Sequence, residues 1–264
     1  MNREELLSAK RAAVLVIDMQ NDYCHPDGCE AALGGDVSLA ADMAPRLEHF
    51  LADARAAGIR IIFVRILHSL WTNSATWLER GRSRHARSDV QLCFPGTWGS
   101  EFYAGIQPRQ SADWNPASHD YVVTKHRYSG FVDTDLDLVL RAQDIHTLIV
   151  TGTASNGCVE ATARDGFMRD YAIVYASDCS VASTVENTRT AWTGCARGRR
   201  WRPRTTSCGC GGQVVCLFSR PPGHERVNTA GPAQAPGPWG RRPISNRGRR
   251  CAGGHSRLPE QGCG

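Results

Sequence analysis

Short apolar runs rich in Val and Ile recur at Ala12–Ile17, Ile61–Ile66, Tyr121–Thr124, Thr147–Val150 and Ala172–Tyr175. Successive positions within each run are apolar instead of alternating with polar ones, the pattern of a strand buried on both faces. Between the runs the apolar period lengthens. Leu39, Met43, Leu47, Phe50 and Leu51 recur at a helical spacing between Leu39 and Ala57, and Gly58 follows, which predicts a helix ended by glycine. Leu136, Val139 and Leu140 predict a second helix over Asp133–Gln143, and Val159, Ala163 and Phe167 a third over Cys158–Tyr171. Strand alternating with helix predicts an α/β fold: a three-layer Rossmann-like sandwich around a mostly parallel sheet of about five to six strands, with right-handed crossovers and helices on both faces.

Two stretches break the rhythm. The long segment from His68 to His119 carries Trp71, Trp77, Trp98 and Trp114 without a clear period. So many tryptophans argue against disorder, and two readings stay open: aromatic packing on the flank of the sheet, or a lid over a substrate. After Val185 the patterning fails, and only Val214–Phe218 reads as a strand.

Charge sharpens that second break. Residues 189–264 hold 14 Arg, no Lys, two acidic residues, 14 of the 26 Gly, 8 of the 13 Pro and 6 of the 11 Cys, for a net charge of +12. Residues 1–188 hold 17 basic and 24 acidic residues, a net charge of −7, so the formal +5 of the whole describes neither part. The chain is therefore divided into a patterned α/β domain at 1–188 and an atypical Arg/Gly/Pro/Cys-rich tail at 189–264. Such a composition buries too little apolar surface to offset its ordering entropy, and most of the tail is expected to be poorly ordered. Enrichment beginning abruptly after Asn187 is also what a shifted reading frame in a GC-rich gene produces. The positive tail admits nucleic-acid binding through phosphate contacts. Against it, the Arg residues are dispersed among Gly and Pro, with no Lys and no stacking pattern of aromatics. Cys208, Cys210 and Cys216 with His224 lack the paired spacing of a zinc site.

No apolar run approaches the length of a membrane span, and Met1–Arg11 lacks the apolar stretch of a signal peptide. A cytoplasmic location is expected, with Cys24, Cys29, Cys93, Cys158 and Cys179 as free thiols in a domain large enough to fold without staples.

In an open parallel sheet, ligands gather beyond the carboxyl ends of the strands, near the point where strand order reverses. Asp18 follows the first strand run, Lys125 the third, and Cys158 comes shortly after the fourth, at the expected start of a helix. One acid, one base and one thiol thus converge. A thiol is a nucleophile as thiolate, and its pKa falls beside a cation or at a helix N-terminus. Lys125 and the helix at Cys158 are expected to act that way. Asp18 can take the thiol proton and return it to a leaving amine, and amides of the Gly152–Cys158 turn can face a developing oxyanion. Each residue has a plainer reading: an Asp at a strand end is often a helix cap, and a Cys beside a sheet is often inert core.

These residues resemble the isochorismatase-like cysteine hydrolases. The likeness rests on four ordered segments: Val16-Ile17-Asp18-Met19-Gln20-Asn21-Asp22; Gly96-Thr97 with Gly99 and Glu101; Lys125 followed by Tyr128-Ser129-Gly130-Phe131; and Thr151 to Phe167, with Asn156, Cys158, Val159, Glu160, Thr162, Arg164 and Asp165. It covers about residues 10–185. The resemblance implies a six-stranded parallel sheet and a catalytic triad falling on Asp18, Lys125 and Cys158. It implies a cis peptide between Thr153 and Ala154, an oxyanion hole from the backbone amides of Ala154 and Cys158, and Tyr23, with Asn21, at the substrate pocket. Zinc-dependent relatives carry an Asp-x-His motif where this chain reads Arg65-Ile66-Leu67-His68-Ser69-Leu70, so no metal and no cofactor is expected. Lys125 to Phe131 looks most like the ureidoacrylate, biuret and N-carbamoylsarcosine amidohydrolases. Arg127 is open to two readings, as a clamp on a substrate carboxylate or as a surface or subunit ion pair.

The expected function is hydrolysis of a C–N bond in a small amide, ureido or carbamoyl substrate through a thioacyl-enzyme, in a homo-oligomer with no membrane partner. The alternatives are a relative inactivated by its C-terminus and a nucleic-acid-binding protein. The resemblance also implies a final helix and strand after Val185, and their replacement by the tail is expected to leave a bare, aggregation-prone sheet edge.

Overall fold

The computed structural model describes residues 8–84, 92–191, 205–207 and 213–218, the last two spans as backbone alone. The chain divides into two units, Met1–Gly223 and His224–Gly264, and every described residue belongs to the first. Most of the tail expected to be poorly ordered lies outside the described residues.

The strands are β1 (Ala12–Ile17), β2 (Arg60–Ile66), β3 (Tyr121–Lys125), β4 (Thr147–Thr153) and β5 (Ala172–Val181). The helices between and after them are α1 (Ser38–Ala56), α2 (Ala75–Arg84), α3 (Leu136–Ala142), α4 (Glu160–Met168) and α5 (Val185–Thr190). Each of the five apolar runs is a strand, in the order β3-β2-β1-β4-β5, all parallel. Every residue of β1 and β4 is buried, as unbroken apolar runs require. Strand order reverses between β1 and β4, which opens a crevice beyond their carboxyl ends.

Alternate residues of β1 feed two separate cores. Ala12, Val14 and Val16 pack with Met43, Leu47 and Leu51 of α1, while Ala13, Leu15 and Ile17 pack with Leu136 and Leu140 of α3 and Ala163 of α4. The result is the expected three layers. In α4 the apolar stripe differs from the sequence reading. Val159, Thr162, Ala163 and Gly166 are buried, whereas Phe167 is 48% exposed, because eight residues from Val159 carry it well past two helical turns. Among the described residues no helix is long and apolar enough to cross a membrane.

Two findings correct the sequence reading. The outer edge of β5 is not bare: β7 (Gln213–Phe218) pairs with it antiparallel, and β6 (Thr205–Ser207) pairs with β7. The one tail run with strand character therefore satisfies the exposed backbone groups of β5. Of the two readings left open for the long segment, packing on the flank of the sheet is not met by three of its four tryptophans, while Trp77 lines a cavity. Trp71 is 97% exposed, Trp114 68% and Trp98 47%.

Buried carboxylates hold that segment down. Asp120 pairs with Arg55 of α1 at 2.5 Å and accepts from the Arg109 amide at 2.8 Å. Asp22 accepts from the Cys93 amide at 2.6 Å and the Cys29 amide at 3.1 Å. Gly99 belongs to this clamp, since a Cβ there would lie 2.2 Å from the Asp22 carboxylate. Asp22→Ala strands two amides together and is expected to cost about 3 kcal/mol, read as a lower midpoint in urea. An unchanged midpoint would remove the clamp.

Candidate active site

The parallel register brings three strand ends to one level. Ile17 of β1 pairs with Gly152 of β4, and Ile66 of β2 pairs with Lys125, the last residue of β3. Just past β1, Asp18 turns the chain at φ 50° while its amide donates to Val64 O at 2.8 Å. That turn aims the carboxylate across β2 toward β3, where Lys125 Nζ donates to Asp18 Oδ2 at 2.8 Å and to Arg127 O at 3.1 Å. Both side chains are buried, 0% and 2% exposed. Gln20 locks the frame: its Nε2 donates to Ile66 O at 3.0 Å and Ser100 O at 2.9 Å, and its Oε1 accepts from Ile66 N at 2.9 Å.

After β4 the chain passes a cis peptide at Thr153–Ala154 and one wide π turn, Ser155–Val159, before α4 begins at Glu160. The turn carries Cys158, whose thiol is buried beside Asp18 and Lys125 and feels the charge of both. The sequence-expected acid, base and thiol are therefore brought together in one buried group.

The electrostatics depart from the expected thiolate. Burial, reinforced by the Asp18 carboxylate, pushes the Cys158 thiol up to about 12, with Lys125 pulling the other way. Burial also raises Asp18, against the pull of Lys125. Burial opposes the charge on Lys125, but Asp18 and Cys158 outweigh it and hold the ammonium above its ordinary value. A cation beside a sulfur lowers its pKa only when it outweighs desolvation, and here it does not. At rest the sulfur keeps its proton.

A cavity of about 390 Å³ opens over this group. Asp18, Thr153, Ala154 and Cys158 line it, as does Tyr23, which the resemblance assigned to the pocket. Trp77 lines it as well, meeting Tyr128 edge to face at 5.2 Å between ring centres. Two expected pocket residues do not line it. The Asn21 amide side chain donates to Trp98 O at 2.9 Å. Arg127 donates to Thr72 O at 3.1 Å and His126 O at 2.7 Å, and its guanidinium sits 5.0 Å over the Trp77 ring. Both bonds come from Nη1, so one nitrogen of Arg127 is held by backbone carbonyls while its plane packs on an aromatic face.

Sequence reasoning missed Glu30 and Asp36, which line the cavity, and weighed His68 only as a metal ligand. Glu30 stands in a one-turn helix, Cys29–Ala32, and Asp36 in the loop after it, where polar spacing carries no signal. His68 is 8% exposed, and burial, with Lys125 nearby, holds its pKa down at about 4. Because the unfolded chain binds this proton more readily, His68 costs stability as pH falls from about 6.5 to about 4. His68→Gln is expected to remove about 3 kcal/mol of acid-side loss in that window, measured as the difference in urea midpoints at pH 7 and pH 4. Parallel pH profiles for the two proteins would contradict it.

Comparison with known proteins agrees with this geometry. The isochorismatase domain family matches residues 12–201. The ureidoacrylate amidohydrolase RutB of Yersinia enterocolitica is 35% identical over 179 residues, 64% of this chain and 74% of that protein. Among solved structures, a cysteine hydrolase from Pseudomonas syringae is 28% identical with a TM-score of 0.61, covering 73% of this chain and 88% of its own. The N-carbamoylsarcosine amidase of Thermoplasma acidophilum is 27% identical with a TM-score of 0.54, covering 70% and 91%. With the domain match spanning most of the chain and a fold shared with such enzymes, this protein belongs to the isochorismatase-like hydrolase family.

Proposed function

We propose that the protein hydrolyses the C–N bond of a small amide, ureido or carbamoyl substrate through a thioacyl-enzyme on Cys158. One observation carries this reading: Asp18 and Cys158, which follow separate strands, line one cavity, with the Lys125 ammonium held on Asp18 behind them. The amidohydrolase relative and the structurally similar amidase support the same reaction class.

Asp18 takes the thiol proton as sulfur attacks the carbonyl carbon, and its raised pKa makes it a competent base for that step. Lys125 stabilises the resulting thiolate and the Asp18 carboxylate before transfer. The backbone amides of Ala154 and Cys158, two residues lining the cavity, receive the oxyanion. As the C–N bond breaks, Asp18 returns its proton to the leaving nitrogen. Water activated by Asp18 then attacks the thioester, releasing the acid and the free thiol. Tyr23 borders the bound substrate, while Asn21 and Arg127 shape the wall behind it.

Acid quenching during turnover, followed by mass spectrometry of the Cys158 peptide, tests the reading. An adduct with the mass of the acyl group is expected on that peptide. Ammonia release with unmodified Cys158 at every time point, under conditions that accumulate acyl-enzyme in a relative, would count against it. The family resemblance carries a homo-oligomer as well, which sedimentation of the full chain reads directly.

A further inference from the structure

Among the described residues, the cavity wall carries carboxylates and no basic side chain of Arg or Lys. Glu30 and Asp36 both line it. The Glu30 carboxylate is packed in place, since a Cβ on Gly35 would come within 2.7 Å of its Oε1. Asp36, the next residue, accepts from the Ser38 amide at 2.9 Å, and hydrogen bonds from Ser38 hold its carboxyl below the ordinary range. Both carboxylates line the cavity, neither with an Arg or Lys ion-pair partner among the described residues.

The nearest cations are occupied. Lys125 is fully buried and shared between Asp18 and the Arg127 carbonyl, and Arg127 is directed at Thr72, His126 and Trp77. His68 lines the same cavity at 8% exposure, with its Nδ1 sealed from solvent and the Asn73 side chain beside the ring. At neutral pH the ring is uncharged, so it offers a hydrogen bond but no countercharge for an anion.

Resting on the hydrolase reading above, we propose that the site takes substrates whose part remote from the scissile carbonyl is uncharged or cationic, with Glu30 and Asp36 as the residues that exclude carboxylate-bearing ones. A like charge brought beside fixed carboxylates is repelled, and such repulsion is a common source of discrimination. The specificity so inferred departs from the carboxylate-bearing compound in the name of the Yersinia relative.

The test reads the charge preference without needing the substrate. The full chain is treated with the cationic 2-aminoethyl and the anionic 2-sulfonatoethyl methanethiosulfonates. Modification of the Cys158 peptide is followed by mass spectrometry, and each rate is divided by that of the same reagent with a free small thiol. The normalised cation-to-anion ratio is expected to be about tenfold, and to fall several-fold in Glu30→Gln and Asp36→Asn. A ratio of one or below, or a ratio unchanged in both variants, overturns the proposal. So does a Cys158 that neither reagent reaches, because the cavity is then closed to ligands of that size. Failure of the hydrolase reading registers separately, as amide turnover that persists in Cys158→Ala.

Discussion

Replacing Cys158 by Ala is expected to leave the fold intact and to lower amide hydrolysis by about a thousandfold or more. The substitution removes one sulfur from a site 7% exposed in a wall that already borders a cavity, so little packing is lost and the melting temperature should move by only a few degrees. The chemistry has no substitute for that atom: among the described residues lining the cavity there is no other thiol and no lysine. Asp18→Asn should be nearly as damaging. With the thiol pushed up to about 12, the sulfur is protonated at neutral pH, and only a base in contact with it can release the nucleophile during reaction. Residues that act as a unit lose almost everything when either is removed. Ammonia release and a thermal melt on each variant decide the matter. Hydrolysis near the wild-type rate in the alanine variant, with its melt unchanged, would remove Cys158 from the mechanism. Because burial raises Asp18, the acid limb of the wild-type profile should lie above the ordinary carboxylate range, with activity increasing as the pH rises through it.

Gly152→Ala is expected to be the most destabilising single change at the site, by about 4 kcal/mol. Gly152 has φ 105°, a region that L residues rarely adopt, and a Cβ there would stand 2.1 Å from Ile17 O and 2.8 Å from Ile17 N. Those atoms are backbone in the fully buried β1, so no flexible side chain can move aside. Relief would require parting β1 from β4, the two strands whose ends carry Asp18 and lead to Cys158. The variant should therefore lose both stability and whatever activity survives expression. Urea unfolding gives the cost, and a loss of less than about 1 kcal/mol would mean that the strands separate easily.

Much of the architecture was legible because parallel strands covered on both faces write themselves as unbroken apolar runs. Ala12–Ile17 matches β1 end to end, and the other four runs lie within β2 to β5. The same logic located Asp18, Lys125 and Cys158, since residues just past such runs must gather at one edge of the sheet. It failed where contacts are remote in sequence and polar. Asp22, read only as part of a motif, clamps Cys29, Cys93 and Gly99, and no local period announces such a role. For Arg127 the sequence left a carboxylate clamp and a surface or subunit contact both open, and the Thr72 and His126 carbonyls that engage it carry no signal there.

The chain by itself determined the layered α/β fold and the order of its elements, and pointed to Asp18, Lys125 and Cys158 as neighbours, because hydrophobic periodicity and strand ends are local properties. Only the tertiary structure decided the protonation of the thiol, the negative lining of the cavity and the pairing of the β5 edge. Desolvation, electrostatic neighbours and edge pairing all depend on groups far apart in sequence, and for Cys158 burial outweighs the adjacent Lys125 charge that alone pointed to a thiolate.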